Sequence, residues 1–357
     1  MHIAVIGAGL SGLLAARNLQ RVGHSVVVLD KGAGVGGRMA TRRIGDAVLD
    51  HGAQFFTVRS DVFATEVNDW VSQGVAREWC RGFADIDGHP RYTGANGMTS
   101  IAKHLAGNLD VRLGVTVSSV TFDKHDTKWT IASRRRDSST EEHIADAIIV
   151  TAPLPQTIAL LGDVAHDLPC ELHDIDYDPT LCLLVTLKRQ VQVSASGALQ
   201  SPDDFFSFVC DNLRKGISAT PSLTFHAEPG VSAKHYDNSE SELHSMLFER
   251  ATAYVSVDDI VESHVKKWRF ATPRRTFHSP CWTHPQLPLV LAGDAFDGPR
   301  IEGAALSGIA AASIFSCRCR ATPPGRHAWR PLVEWRAVHR RPREPATRTN
   351  VLARLPS

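Results

Sequence analysis

Residues 1–39, MHIAVIGAGLSGLLAARNLQRVGHSVVVLDKGAGVGGRM, contain the pattern that decides the fold. The apolar run ending at Ile6 reads as a buried parallel strand and Leu10 to Val22 as the helix that follows it. Between them stands Gly7-x-Gly9-x-x-Gly12. There the first glycine permits a tight turn, the second admits a pyrophosphate close to the backbone, and the third lets helix and strand pack closely. The helix N-terminus adds N–H donors and positive potential for the same phosphates. "HSVVVLD" (24–30) is the second strand, and it ends in Asp30, eighteen residues past Gly12. A carboxylate there accepts from a ribose 2′-hydroxyl and repels a 2′-phosphate.

The chain then departs from a plain dehydrogenase pattern. Gly34, Gly36 and Gly37 in "GVGGRM" (34–39) suit a loop folded over a long ligand, and Arg38 would set a guanidinium fork beside phosphate.

Downstream, "GMTSIAKHLAG" (97–107) reads as a helix, and "VRLGVTVSSVTFD" (111–123) and "KWTIAS" (128–133) as antiparallel strands around a polar turn, "SRRRDSSTEEH". "ADAIIVTAPLPQ" (145–156) is a buried strand closed by prolines. The middle of the chain predicts a second, mixed sheet with flanking helices: strands in "TLCLLVTL" (180–187), "SFVCDN", "SLTFHAE" and "IVESHVKKWRFA" (260–271), and a Ser-Glu-capped helix in 239–255. "LPLVLAGDAF" (287–296) returns as a buried strand ending in Gly-Asp, before a small-residue helix, "IEGAALSGIAAASIF". The whole reads as an α/β protein with a doubly wound, Rossmann-type domain and a mixed-sheet substrate domain. The expected division assigns 1–60, 97–160 and 275–317 to the first and 61–96 and 161–274 to the second.

Charge is uneven. The net charge is +1, but residues 318–357 carry ten arginines, two acids and six prolines. No aromatic pattern interleaves those arginines as a nucleic-acid module requires, so the segment reads as a disordered arm. The seven cysteines form no C-x-x-C pair and the histidines no metal spacing, which argues against zinc and a disulfide framework and suits a reducing cytoplasm. No run is long enough to span a bilayer.

The order GAGxxG, Asp30-Lys31, GGR, and far downstream "AGDAF…IEGAALSG" resembles the FAD-binding amine oxidase-like superfamily. The resemblance implies noncovalent FAD held by Gly7, Gly9, Gly12, Asp30, Lys31, Gly37, Arg38, Val117, Asp294, Glu302 and Gly303. It sets Arg38 over the pyrophosphate, Asp294 at the ribityl or pyrophosphate region, and the helix starting near Glu302-Gly303 at the flavin N1–C2=O edge. "DHGAQFFTVRS" (50–60), "GANGMTSIAKHLA", "VTAPLPQT", "DNLRKGIS", "TFHAE" and "KKWRFATP", in that order, resemble the renalase family, especially its bacterial and plant-type members, over residues 1 to about 316.

That likeness implies oxidation of dihydronicotinamide dinucleotides reduced at the wrong ring position, the 2- or 6-dihydro forms of NAD(P), with dioxygen as the final oxidant and hydrogen peroxide as its product. Hydride transfer to flavin N5 needs no side-chain base, so no catalytic acid–base residue is expected. The candidate substrate residues are Gln54, Phe55, Phe56, Asn212, His226, Trp268 and Phe270, with Lys215 and Arg269 available to phosphate or carboxamide groups. Ala295-Phe296, Ala305 and Val231 stand where relatives tend to carry tryptophan, and smaller side chains there would open the pocket or its rim. Two alternatives stay open: another flavin reaction on this fold, by an amine oxidase or desaturase-type enzyme, and a flavin-binding protein without turnover.

Overall fold

Apolar runs from opposite ends of the chain meet in one sheet. The computed structural model describes residues 1–83 and 88–316; the arginine-rich arm at 318–357 lies outside the described residues. The chain opens with β1 (His2–Ile6), α1 (Leu10–Arg21) and β2 (Ser25–Asp30), then a hairpin of β3 (Thr41–Ile44) and β4 (Ala47–Asp50). Next come α2 (Asp61–Ser72), β5 (Ala76–Cys80), β6 (Arg91–Gly94), α3 (Thr99–Ala106), β7 (Asp110–Leu113), β8 (Val115–Asp123), β9 (Lys128–Arg135), β10 (Thr140–Ala145) and β11 (Ala147–Val150). After α4 (Leu154–Leu161) and α5 (Cys170–His173) the chain forms β12 (Tyr177–Leu187), β13 (Ala198–Gln200), β14 (Phe206–Asp211), β15 (Ser222–Ala227), α6 (Pro229–His235), α7 (Glu240–Ala251) and β16 (Ile260–Pro273). It returns through β17 (Trp282–Thr283), β18 (Leu289–Leu291), α8 (Asp294–Asp297) and α9 (Ile301–Ser316).

The main sheet runs β17-β18-β11-β1-β2-β7, parallel except for the edge strand β17. Its strands are near-continuous apolar runs because helices or a second layer cover both faces. On one face α1, α3 and α9 pack with Phe63, Val67 and Trp70 of α2, so part of the 61–96 segment shares this core. On the other lie Trp129, Ile131 and the α4–α5 region.

Two expectations are corrected. Residues 111–123 are not one antiparallel strand: Gly114, at φ +69°, breaks the run. Residues before it join β2 in parallel as β7, and those after it pair antiparallel with β9 as β8. The second sheet, order β13-β14-β15-β12-β16, is antiparallel throughout rather than mixed. Its neighbouring strands are joined by reversals, and α7 lies across one face, burying Leu243, Leu247 and Ala251 against Leu181, Leu183 and Val185 instead of crossing over between parallel strands. The expected Ser-Glu cap is present: Ser239 Oγ accepts the Glu242 N–H, and Glu242 takes the Ser239 N–H at 2.9 Å.

The β3–β4 hairpin joins the two layers. Ile44, Ala47 and Leu49 pack against Cys182 and Leu184 of β12, which carries the segment after Asp50 under the antiparallel sheet. No helix among the described residues is long and apolar enough to cross a membrane, and no described group of His, Cys, Asp or Glu could hold a metal.

Candidate active site

The fingerprint forms as its glycines require. Gly7 turns at φ +111°, and a Cβ on Gly12 would lie 2.0 Å from the Gly7 carbonyl oxygen. Gly9 caps α1 without a side chain, so the first amides of the helix, which have no intrahelical acceptor, face an open approach. Asp30 Oδ2 accepts the Ala8 N–H at 2.7 Å and Oδ1 the Gly32 N–H at 2.6 Å. The carboxylate therefore ties both glycine loops together while its remaining lone pairs face a cavity of about 1580 Å³, whose wall also carries Lys31, Val117 and Pro153. The second loop docks onto the first: Gly36 N–H donates to Ala8 O at 2.8 Å, and Gly37–Met39 form a short helical turn. Lys31 leans on Gln156 at 3.1 Å.

Arg38 and Asp294, 256 residues apart in the chain, form a two-pronged ion pair at 2.6 and 2.7 Å. Arg38 Nη1 also donates to the Phe270 and Ala271 carbonyls of β16, at 3.3 and 3.2 Å. Burial opposes the charge, but Asp294 more than compensates, so the guanidinium is held above its ordinary pKa. These bonds leave Nε–H and one Nη2–H without a protein acceptor among the described residues. Arg38 stands on the walls of both the large cavity and a second one of about 560 Å³, within the ordinary size of a ligand pocket, about 300–1,000 Å³. Helix amides, unspent guanidinium donors and a strand-end carboxylate, set around two cavities that share Gly9 and Arg38, match the chemistry of a dinucleotide.

Gln54, Phe55, Phe56, His226 and Trp268 come together on the smaller cavity. Gln54 Nε2 donates to the carbonyls of Asp50 (2.7 Å) and Gly52 (3.1 Å), which fixes the amide's orientation. Its Oε1 is left buried without a donor. His226 Nε2 lies 3.4 Å from Gln54 Nε2. Burial first, then the His51 and Lys215 charges, push the His226 pKa down to about 4, so the ring is neutral at pH 7. Trp268 stacks on His51 at 5.3 Å and donates its indole N–H to the His51 carbonyl at 2.7 Å. Phe55 meets Phe83 edge-on at 4.9 Å and lies over Phe208 at 5.8 Å. Phe56 belongs chiefly to the core, packed among Phe63, Trp70 and Tyr92, with part of its surface on the cavity wall.

Apart from Glu302, which also lines this cavity, the other candidates stand elsewhere. Asn212 is fully buried behind the wall, its Nδ2 donating to Ser222 O (3.3 Å) and Thr224 Oγ1 (3.1 Å) to hold the turn between β14 and β15. Lys215 is fully buried in an ion pair with Asp50 at 2.7 Å and lies over the Trp79 ring, so no substrate phosphate reaches it. Phe270 packs on Tyr177 and lines the larger cavity only. Arg269 lies over Tyr236, 3.4 Å from Asp237, on the rim of that same cavity. Glu302 accepts the Arg59 and Ser60 N–H groups at the start of α2, at 3.1 and 2.7 Å. Gly303 sits where a Cβ would come within 2.2 Å of the Gly298 carbonyl oxygen. Ala295, Phe296 and Ala305 are packed inside the cores and do not open the pocket, because they lie on the inner faces of α8 and α9.

Sequence reasoning missed Thr151 and Asp50. Thr151 Oγ1 donates to Ile6 O at 3.1 Å and forms wall in both cavities; its signal is its place at the end of the buried strand beside β1. Asp50 accepts from Thr41 Oγ1, Met98 N–H and Lys215 Nζ, at 2.5, 2.9 and 2.7 Å, and so sets the backbone that holds Gln54. No local pattern reveals it, since Lys215 is 165 residues away.

Residues 5–70 match the model of NAD(P)-binding Rossmann-like domains, and residues 64–314 that of flavin-containing amine oxidoreductases. Among curated proteins, the flavin-containing monooxygenase FMO GS-OX-like 2 of Arabidopsis thaliana is 33% identical over 171 residues, covering 42% of this chain and 35% of its own. The flavin-containing monooxygenase FMO GS-OX5 of the same plant is 29% identical over 298 residues, covering 76% of this chain and 61% of its own. The chain thus spans about a third of the length of the first and under two thirds of the second. A solved structure, a putative protoporphyrinogen oxidase from Exiguobacterium sp. 255-15, superposes with a TM-score of 0.63 at 13% identity over 89% of this chain and 99% of its own, a likeness of fold.

Proposed function

The chain belongs to the flavin-containing amine oxidoreductase family and is an FAD-dependent oxidoreductase, and on that premise we propose that it oxidises 2- or 6-dihydro isomers of NAD(P) to NAD(P)+, as the renalase family does. FAD, held by the glycine loops with Asp30 and Arg38, would supply the hydride acceptor, with dioxygen as the final oxidant and hydrogen peroxide as its product. The observation that carries the reading is the orphaned Oε1 of Gln54, a buried acceptor beside Phe55, Phe208 and Trp268 on the cavity wall.

A primary carboxamide on a flat ring supplies what that wall lacks: an N–H₂ donor for Gln54 Oε1 and a π-face for Phe55 or Trp268. The acids on the wall, Asp294 and Glu302, are engaged by Arg38 and by the Arg59 and Ser60 amides just before α2, and among the described residues no lysine lines it. Neither a proton-abstracting pair nor an anionic seat for an ammonium group is offered. Oxidation of a dihydronicotinamide needs neither, because its product is a stable aromatic cation. The residues' work is to stack, orient and exclude water.

Anaerobic mixing of the flavoprotein with the isomers formed by borohydride reduction of NAD+ tests the proposal. Bleaching of the flavin within seconds is expected, with NAD+ as product and one hydrogen peroxide per turnover when air is readmitted. Bleaching by primary amines and not by the isomers overturns it.

A further inference from the structure

The small cavity is neutral inside and positive at its mouth. Arg59 and Arg300 both line it and both are exposed, which places them on the rim. Neither has a carboxylate within ion-pair distance among the described residues, whereas the buried Arg38 is matched by Asp294. Arg91, over the Phe83 ring at 5.6 Å, belongs to the same rim. Two guanidinium groups without a carboxylate partner thus line one opening, where their planar N–H forks match phosphate oxygens.

The fold holds the pair in place. The Glu302 carboxylate, in the first turn of α9, accepts the backbone N–H of Arg59 at 3.1 Å and of Ser60 at 2.7 Å. Arg300 immediately precedes that helix. One carboxylate therefore fixes the spacing between the two arginine backbones while both its oxygens are occupied by amides. Both residues remain exposed on the cavity lining.

From these observations we infer that Arg59 and Arg300 form an anion-binding rim that selects substrates carrying a phosphate or diphosphate tail beyond the ring that enters the cavity. Planar guanidinium groups suit such oxygens, and an order of neutral interior and cationic mouth admits a neutral head with an anionic tail. The inference rests on the proposed dihydronicotinamide chemistry for the head, and it extends that reading to the tail. Glu302 is a positioning residue for the rim.

The experiment compares three substrates with the same dihydro ring: the dinucleotide, the mononucleotide and the phosphate-free riboside. Flavin bleaching is followed anaerobically for the wild type and for Arg59→Ala/Arg300→Ala. For the double variant, the apparent Kd for the dinucleotide is expected to rise about tenfold or more, as loss of charge-assisted hydrogen bonds implies. The riboside reaction and the limiting bleaching rate stay unchanged. Raising salt should mimic the variant with the dinucleotide and leave the riboside untouched. Inorganic pyrophosphate, titrated against the wild-type flavin spectrum, should compete with the dinucleotide and bind the variant at least tenfold more weakly.

Equal loss with all three substrates, or loss of bound flavin, overturns the rim, because the arginines would then serve the ring site or the cofactor. Failure of every dihydro compound to bleach the wild type sinks the ring chemistry instead. The pyrophosphate titration still decides the rim in that case, and no difference between wild type and variant there refutes it.

Discussion

At the scale of single residues, two buried polar groups decide the character of the site. Lys215 and Asp50 are fully buried and bonded to each other, and Asp50 also carries Thr41 and Met98. Removing one partner strands the other's charge away from water, at a cost of about 3–5 kcal/mol. Lys215→Met should therefore lower stability by that order in urea unfolding, and pairing it with Asp50→Asn should recover part of the loss. The histidines set a pH window. Burial and neighbouring cations hold both His51 and His226 near a pKa of about 4, below their ordinary 6.5. Below pH 6.5 the unfolded chain binds protons that the native one refuses until about 4, so this contribution to stability is full above 6.5, falls between 6.5 and about 4, and is level below. His226→Asn should shrink the fall seen in melting temperature across that window. The anaerobic bleaching rate should show no inflection from either ring between pH 5.5 and 8, a range (~) within which both stay neutral.

Between elements, α9 and α1 pack at very close range. A Cβ on Gly308 would lie 2.2 Å from the Ser11 carbonyl oxygen, backbone that cannot give way as a side-chain tip can. Gly308→Ala is therefore expected to push the helices apart, costing about 1–3 kcal/mol by overpacking. Since α1 begins at the phosphate loop and α9 at the rim, the same change should weaken flavin retention, measured as flavin absorbance per protein after gel filtration. The α7 cap gives a contrasting case: Ser239→Ala should cost only about 1 kcal/mol and leave flavin content unchanged, because α7 lies against the far sheet.

In the molecule as a whole, Arg38 is where the layers meet. It joins the second glycine loop to Asp294 at the start of α8 and to the backbone of β16, the last strand of the antiparallel sheet. Arg38→Ala should both lower the melting temperature of the deflavinated protein and weaken FAD binding. The rise in melting temperature on adding FAD, which follows from preferential binding to the native state, should shrink correspondingly. Arg38→Lys, with one ammonium in place of a fork, should restore little of either.

Much of this was legible in the chain itself. Strand, glycine turn, helix and strand-end acid lie within thirty residues, so local periodicity and backbone geometry determined the nucleotide fold. The GGR loop and the distant Gly-Asp segment together pointed to FAD, and the fold joins them in the Arg38–Asp294 ion pair. The antiparallel order of the second sheet was not legible, because strand direction depends on which strands become neighbours rather than on their composition. Residue roles turned on the same contacts. Lys215, expected to be available to substrate phosphate or carboxamide groups, is buried because Asp50 meets it across 165 residues. Asn212 is carried behind the wall, and Arg59 and Arg300 are brought to one opening only when α9 docks on the start of α2. Local forces act over a few residues and are written in the sequence; burial, charge pairing and the facing of side chains arise only when distant segments pack, and those the tertiary structure alone decided.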